Sequence, residues 1–293
     1  MSKKCTVIDN DTGEIINENF NIDEIEDVKR KKEGIRRSKE FEEFKTIQSA
    51  YMGNFIFFLY KSVNELEEIL SDNDLVRYIY LGTFTKSNGY LILDNNKTYI
   101  TKKEMQNLLK MGDTAFKKFF NNIISNNLLT EINDKYKINI YYFWRGKEIN
   151  YKSITGNKLE NYTRIYINAT RELYKSNYKR PKKLAMAYKL IPYINWKYNV
   201  LCNNIKETCK EKIDILHIED IINIVGYNKK NIGRFKYYFY GIKFYGYSLF
   251  MTLQDQPEYK SSIILVNPLF AYRNRVVNDL KYLFVLFDIC KDI

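Results

Sequence analysis

The sequence has few of the residues that catalysis and metal binding most often use. Its 293 residues include a single histidine, His217, and four cysteines. One histidine excludes a histidine-pair metal site, and the closest cysteines, Cys202 and Cys209, do not have the CxxC spacing of a zinc clamp. We therefore expect reduced, structural cysteines and a histidine at the start of a helix.

Sequence motifs of the common enzyme classes are also missing. The chain contains no Walker loop, no GxSxG elbow and no glycine-rich dinucleotide fingerprint. Its acidic residues do not form a spaced set that would single out a metal site. The sequence thus predicts no catalytic residue, no cofactor and no metal, and it favours a binding protein over an enzyme.

Long apolar runs are absent, whereas positive charge is abundant. No stretch approaches the roughly 18–20 apolar residues of a membrane span, and the N-terminal residues lack the apolar core of a signal peptide. We expect a cytoplasmic protein without a membrane partner. The 47 basic and 35 acidic residues give a net charge of +12, which favours a polyanionic partner. An AT-rich genome also enriches lysine, so the positions of the charges carry more weight than their total.

Length and composition predict two domains preceded by an arm. The predicted parts are a charged, partly disordered N-terminal arm (1–50), a first domain (51–147), a linker (148–160) and a second domain with a C-terminal helix (161–293). Residues 5–16 of the arm alternate like a small hairpin or an extended lead-in. Seven basic residues between Lys29 and Lys39 indicate either a solvated segment or one that lies along phosphates.

Residues 90–145 have the order of a winged helix. A strand, YLIL, precedes a helix that begins with the capping-box pair Thr101 and Glu104. A turn at 111–113 leads to a second helix, FKKFFNNIISNN, and two alternating runs then predict a hairpin.

Residues 198–272 repeat this order. A shift of 116 residues places Ile100 on Leu216 and Phe119 on Phe235, so one register aligns both helices. Outside the helices the shift changes to 108 and 127, as loops of different length require. The expected fold class is therefore α+β, with two tandem winged helix-turn-helix domains.

The second helix of each motif has a polar face suited to DNA. Lysine can contact phosphates, asparagine can pair with an adenine edge, and the guanidinium of arginine can bond two acceptors of guanine. An ordinary solvated helix face is the alternative, and the tyrosines could instead cover the core. The predicted DNA-binding residues are Thr114, Lys117, Lys118, Asn121 and Asn122 with wing residues Lys135 and Lys137, then Lys229, Lys230, Asn231, Arg234 and Tyr237 with wing residue Lys260. The basic cluster 179–183 indicates either a phosphate contact or a solvent-exposed loop.

Several short segments resemble winged-helix replication initiators of the Rep type, found in plasmids and phages of low-GC Gram-positive bacteria. The similar segments are VIDNDTGEII, YIYLGTFTKSNGYLIL, ITKKEMQNLL, KLIPYINWKYNVLCNN, IVGYN and ILVNPLF. The chain departs from that pattern at 204–207, where the family would have an Asn-Pro-x-Glu-like turn.

This resemblance implies sequence-specific binding of double-stranded DNA and replication initiation at origin repeats. A replicative helicase or its loader would be a further partner, and a homodimer is an open alternative. A transcriptional regulator or partition-site binder of a mobile element would have the same fold. A protein-binding inhibitor or scaffold built on winged helices is an alternative from another class.

Overall fold

The computed structural model describes residues 4–59, 61–86, 88–94, 97–254 and 262–289. They form two compact units, Met1–Gln48 with Arg275–Val277, and Ser49–Asn274 with Asn278–Ile293. Among the described residues, no helix combines the length and the apolar character that crossing a bilayer requires. The architecture is a mixed α+β one with small antiparallel sheets.

The first unit contains the predicted hairpin and a long helix. Strands β1 (Lys4–Ile8) and β2 (Ile15–Asn21) pair antiparallel, which confirms the hairpin. Its turn is closed by the Asp9 carboxylate, which accepts the backbone N–H groups of Asp11 and Thr12 at 2.9 and 3.0 Å. Gly13 has a φ of +73°, a value that glycine adopts without strain.

Helix α1 (Ile22–Ile47) occupies most of the segment predicted as a partly disordered arm. Oppositely charged side chains three or four residues apart pair along it, including Arg37 with Glu33 at 2.6 Å and Lys45 with Glu42 at 2.8 Å. Such pairs each stabilise a helix by roughly 0.2–0.5 kcal/mol. The charged composition that suggested disorder thus supplies helix-compatible pairs.

The second unit consists of two halves with a similar order of elements, except that the second half has one additional short hairpin after its fourth helix. The first half contains β3 (Phe55–Leu59), α2 (Lys61–Ile69), α3 (Asp72–Gly82), α4 (Lys102–Leu109), α5 (Asp113–Ser125), β4 (Leu129–Ile132), β5 (Lys135–Ile138), β6 (Phe143–Trp144) and α6 (Glu148–Thr155). The second half contains β7 (Tyr162–Tyr166), α7 (Ile167–Asn177), α8 (Lys182–Lys189), α9 (Ile218–Ile224), α10 (Ile232–Tyr240), β8 (Lys243–Phe244), β9 (Tyr247–Ser248), β10 (Phe250–Gln254), β11 (Ser262–Val266), β12 (Ala271–Tyr272) and α11 (Val277–Leu286). A 3-10 turn, Lys229–Asn231, precedes α10.

One antiparallel sheet joins the halves, with strand order β12-β7-β3-β6. At its centre Phe57 of β3 pairs with Arg164 of β7. On the outer sides, Phe57 pairs with Trp144 and Arg164 pairs with Tyr272. This register is the one that an approximate two-fold axis through the central pair would produce. The structure differs here from the predicted division into two domains, because the shared sheet places both predicted domains in one compact unit.

The helices keep the predicted register. Helix α4 begins at Lys102 and α9 at Ile218, whereas α5 begins at Asp113 and the 3-10 turn at Lys229, so both shifts are 116 residues. The predicted strands at 90–93 and 198–202 are reduced to isolated bridges, with Thr85↔Leu91 and Ile92↔Tyr99 in one half and Ile194↔Leu201 and Cys202↔Ile215 in the other.

The predicted linker also differs from expectation. Helix α6 lies within it, and Tyr151 and Leu159 are buried in one cluster with Phe57, Trp144 and Tyr162. These apolar side chains hold residues 148–160 against the sheet, so the segment is packed rather than extended. The predicted C-terminal helix is present as α11 and buries Leu280 and Phe284.

Candidate nucleic-acid interface

Local capping holds α4 and the turn that follows it. The Glu104 N–H donates to Thr101 Oγ1 at 3.2 Å, and the Thr101 N–H donates to Glu104 Oε2 at 2.7 Å, which confirms the predicted capping box. Beyond α4, the Gln106 side-chain amide donates to the Met111 carbonyl at 3.1 Å and to Asp113 Oδ1 at 2.5 Å. These bonds tie the start of α5 to the side of α4 and fix the direction of α5.

Helix α5 separates an apolar face from a polar one. It buries Phe116, Phe119, Phe120 and Ile123. Four predicted contact residues are exposed: Thr114, Lys117, Lys118 and Asn121. The fifth, Asn122, is half-buried; its amide donates to the Ile69 carbonyl at 3.3 Å, and its Oδ1 accepts from Asn126 at 2.9 Å. Asn122 therefore anchors α5 to the end of α2, whereas the other four face solvent.

The predicted wing of the first half is the β4–β5 hairpin. Asn133 and Asp134 at its tip both have positive φ, +50° and +58°, as the tightest hairpin turns require. Lys135 and Lys137 are half-buried, with their ammonium groups 4.2 Å from the ring centre of Tyr99 and 5.0 Å from that of Tyr90. These rings position both lysines but leave their charges uncancelled.

Helix α9 begins directly after His217, which confirms the predicted position of this histidine at a helix start. His217 is the N-cap residue, and its backbone N–H donates to Asp220 Oδ2 at 2.9 Å. Gly226 follows α9 with a φ of +68°. The Asn228 side chain then accepts the Lys230 N–H at 2.9 Å and caps the 3-10 turn before α10.

Helix α10 has the more cationic surface. Phe235 and Phe239 are fully buried, and Phe239 stacks on Phe250 with ring centres 4.0 Å apart. Five predicted residues are exposed: Lys229, Lys230, Asn231, Arg234 and Tyr237. Tyr237 is 77% exposed, so it does not cover the core. The second wing residue, Lys260, lies outside the described residues.

The exposed charges on the two helices are not neutralised by described acidic groups. No described carboxylate lies within 4.0 Å of the charged nitrogens of Lys117, Lys118, Lys229, Lys230 or Arg234. The 116-residue shift makes Thr114 equivalent to Lys230, Lys118 to Arg234 and Asn121 to Tyr237. Equivalent exposed positions thus carry different chemistry.

The structure also places the cluster 179–183 beside α10. It lines a cavity of about 630 Å³ together with the 226–228 turn, Asn231 and Tyr238. The sequence singles out the cluster, but its proximity to α10 depends on how α8 packs.

Within the described ranges, no three His, Cys, Asp or Glu side chains are grouped so that they could hold a metal ion. No protein-family model matches this chain, and no curated protein or solved structure is similar enough to count as a match.

Proposed function

We propose that this protein binds double-stranded DNA sequence-specifically through two tandem winged-helix halves and initiates replication of a plasmid or phage. The main supporting observation is the repeated order of a capped helix, a turn, an exposed cationic helix and a β-hairpin. The helices of the two halves share one 116-residue register. In this proposal α5 and α10 enter the major groove, and the hairpins act as wings along the backbone.

The shared sheet supports a specific arrangement of half-sites. The Phe57↔Arg164 register favours an approximate two-fold relation between the halves, and hence inverted half-sites. Their sequences should differ, because Lys118 and Asn121 of one face are replaced by Arg234 and Tyr237 in the other. One chain would then read a two-part site without forming a homodimer.

Initiation in this proposal proceeds by binding and distorting the origin and by recruiting a replicative helicase or its loader. The protein would perform no covalent chemistry itself. A transcriptional regulator or a partition protein would have the same fold. The initiator role therefore rests on the short segments that resemble Rep-type initiators.

Selection of bound duplexes from a random DNA pool tests the binding proposal. We expect enrichment of one asymmetric site of two unequal halves, with affinity that falls steeply with salt. Lys117→Glu combined with Arg234→Glu should abolish enrichment, whereas Lys147→Glu combined with Lys152→Glu, two exposed lysines away from both helices, should preserve it. Recovery of no preferred sequence by the wild type would overturn the proposal.

The initiator role needs a separate assay. A vector without its own origin, carrying this gene and the selected site, should be maintained in a low-GC Gram-positive host. The Lys117→Glu, Arg234→Glu variant should abolish maintenance. Binding without maintenance would instead indicate a regulator or a partition protein.

A further inference from the structure

A basic cleft lies between the start of α8 and the turn that joins α9 to α10. Its volume is about 630 Å³. The cations along it are Lys179, Arg180, Lys182, Lys183 and Lys189. The opposite side is formed by residues 226–228 with Asn231 and Tyr238. We refer to this feature as the α8–α10 cleft.

Three of the five cations have no acidic partner among the described residues. Asp72 is the one acidic residue along the described lining, and its carboxylate lies 2.8 Å from Lys189 Nζ and 3.8 Å from Lys182 Nζ. No described carboxylate lies within 4.0 Å of the charged groups of Lys179, Arg180 or Lys183. The cleft is therefore strongly positive at these three residues.

The same three side chains border a second opening. A neighbouring cavity of about 370 Å³ is lined by Ser176, Asn177 and Tyr178 together with Lys179, Arg180 and Lys183. The cations thus stand between two adjacent depressions on one surface. Two anionic groups linked in a chain fit this arrangement better than one isolated ion.

The chemistry of the lining favours phosphate oxygens. The guanidinium of Arg180 can donate two parallel hydrogen bonds to a phosphate, and lysine contacts phosphate as a point charge. Lys183 Nζ lies 4.2 Å from the ring centre of Tyr238, which holds the ammonium group without cancelling its charge. Asn231 adds an uncharged amide to the same lining.

The cleft adjoins the exposed face of α10. Asn231 belongs to both surfaces, and Tyr238 follows the exposed Tyr237. A DNA strand beside the major groove that α10 occupies would therefore pass along the cleft. Resting on the proposed function, we propose that the α8–α10 cleft binds consecutive backbone phosphates of the duplex, next to the base pairs that α10 reads.

The first half has no comparable cationic loop. A shift of 110 residues relates α3 to α8, so Asp72 and Asn73 stand where the second half has Lys182 and Lys183. Asp74, one residue further, pairs with Arg77 at 2.7 Å. The cleft would therefore anchor the DNA backbone only beside the half-site that α10 reads.

The test measures how affinity for duplex DNA depends on salt. The variant Lys179→Gln, Arg180→Gln, Lys183→Gln is compared with wild type and with a control that loses equal charge, Lys147→Gln, Lys152→Gln, Lys212→Gln. The probes are a random-sequence duplex and the duplex selected by the wild-type protein. Thermal unfolding of each variant checks that the fold is retained.

We expect the cleft variant to lose about 1.8 from the slope of log affinity against log salt, since each of the two phosphate contacts contributes about 0.9. Its preference for the selected duplex over the random one should stay within twofold of wild type, and the control should keep the wild-type slope. A wild-type slope in the folded cleft variant overturns the cleft and leaves sequence-specific binding intact. A reduced slope without any preferred sequence in the wild type supports the cleft and overturns the proposed sequence specificity.

Discussion

The two halves of the second unit place different residues at an equivalent backbone position that has a positive φ. Gly89 in the first half and Asn199 in the second both have positive φ, +81° and +57°. Each carbonyl accepts an N–H from the following hairpin, that of Ile138 at 2.8 Å and that of Val266 at 2.9 Å. Glycine meets this requirement by lacking a Cβ, whereas asparagine tolerates the left-handed region and adds side-chain hydrogen bonds. Equivalent backbone positions therefore do not need equivalent side chains.

The halves also differ in charge around this common backbone. The first turn of α3 contains Asp72 and Asp74, whereas the cationic cluster 179–183 spans the start of α8. The core accepts either, because these side chains lie at the surface. The fold therefore constrains the buried positions of both halves and leaves their exposed positions free to differ.

Asn199→Ala should have the largest effect on stability. The Asn199 amide donates to the buried Val266 and Ala271 carbonyls at 2.7 and 2.9 Å. Loss of both bonds together with left-handed strain should cost about 3 kcal/mol in the free energy of unfolding. Chemical denaturation measures it.

Asn199→Gly is the matched control, because it removes the amide but not the backbone freedom. It should cost about 1–3 kcal/mol, less than alanine at the same position. Gly89→Ala tests the other half: its Cβ would lie 2.8 Å from Ile140 Cγ2, so about 1–3 kcal/mol is expected. A negligible cost for Asn199→Gly would contradict the role assigned to the amide.

Arg171 links the halves, and its removal should have the next largest effect. Its guanidinium donates to both Asp94 oxygens at 2.8 and 2.7 Å, and to the side chain and carbonyl of Thr83 at 2.9 and 3.0 Å. It also lies 3.8 Å from the ring centre of Phe84. Arg171→Ala should therefore destabilise the unit by about 2–3 kcal/mol, measured by denaturation.

The same contact predicts a pH dependence. Desolvation alone would raise the pKa of Asp94, but the Arg171 hydrogen bonds and charge outweigh it, so the pKa lies below the ordinary 3.8. A lowered pKa in the folded state stabilises the protein above pH 3.8, and this contribution disappears as pH falls through the folded value.

Asp94→Asn tests this directly. Since the Asp94 side chain is 72% exposed, the variant should lose under about 1 kcal/mol at neutral pH. Its difference from wild type should vanish as the pH falls through the lowered pKa of Asp94 in the folded state. A difference that persists in acid would contradict the assignment to the Asp94 carboxylate.

The smallest effect on stability is expected at the two exposed faces, where substitutions should change DNA binding but leave the free energy of unfolding unchanged. Arg234→Ala should weaken the selected duplex by about 1–3 kcal/mol and relax preference at one position of the half-site. Lys118→Ala, at the equivalent position of α5, should weaken all duplexes alike and reduce the salt slope by about 1. Competition binding with single-base variants of the site measures both.

Lys236→Ala is the control, because Lys236 is an exposed lysine of the same helix but, two residues from Arg234, points to another side of α10. It should leave base preference unchanged. Loss of preference in Lys118→Ala but not in Arg234→Ala would reverse the roles of the two faces.

Local signals in the sequence predicted much of the fold. The Thr101 and Glu104 pair marked the start of α4, and buried aromatic positions such as Phe119 and Phe235 gave the common register, because both depend on residues a few positions apart. The exposed candidates on α5 and α10 followed from the same periodicity. Asn122 shows the limit of helical periodicity, because periodicity could not reveal the hydrogen bond from its amide to the Ile69 carbonyl of a distant helix.

By itself, the sequence determined helices α4, α5, α9 and α10, the capping box of α4, the repeated register and the chemistry of each polar face, because capping and amphipathic periodicity are short-range properties. Only the tertiary structure decided that Phe57 pairs with Arg164 in one shared sheet, that residues 148–160 pack against it, and that Lys183 lies on Tyr238. These contacts join segments far apart in the chain, so they depend on which buried surfaces fit together, and no local pattern specifies that.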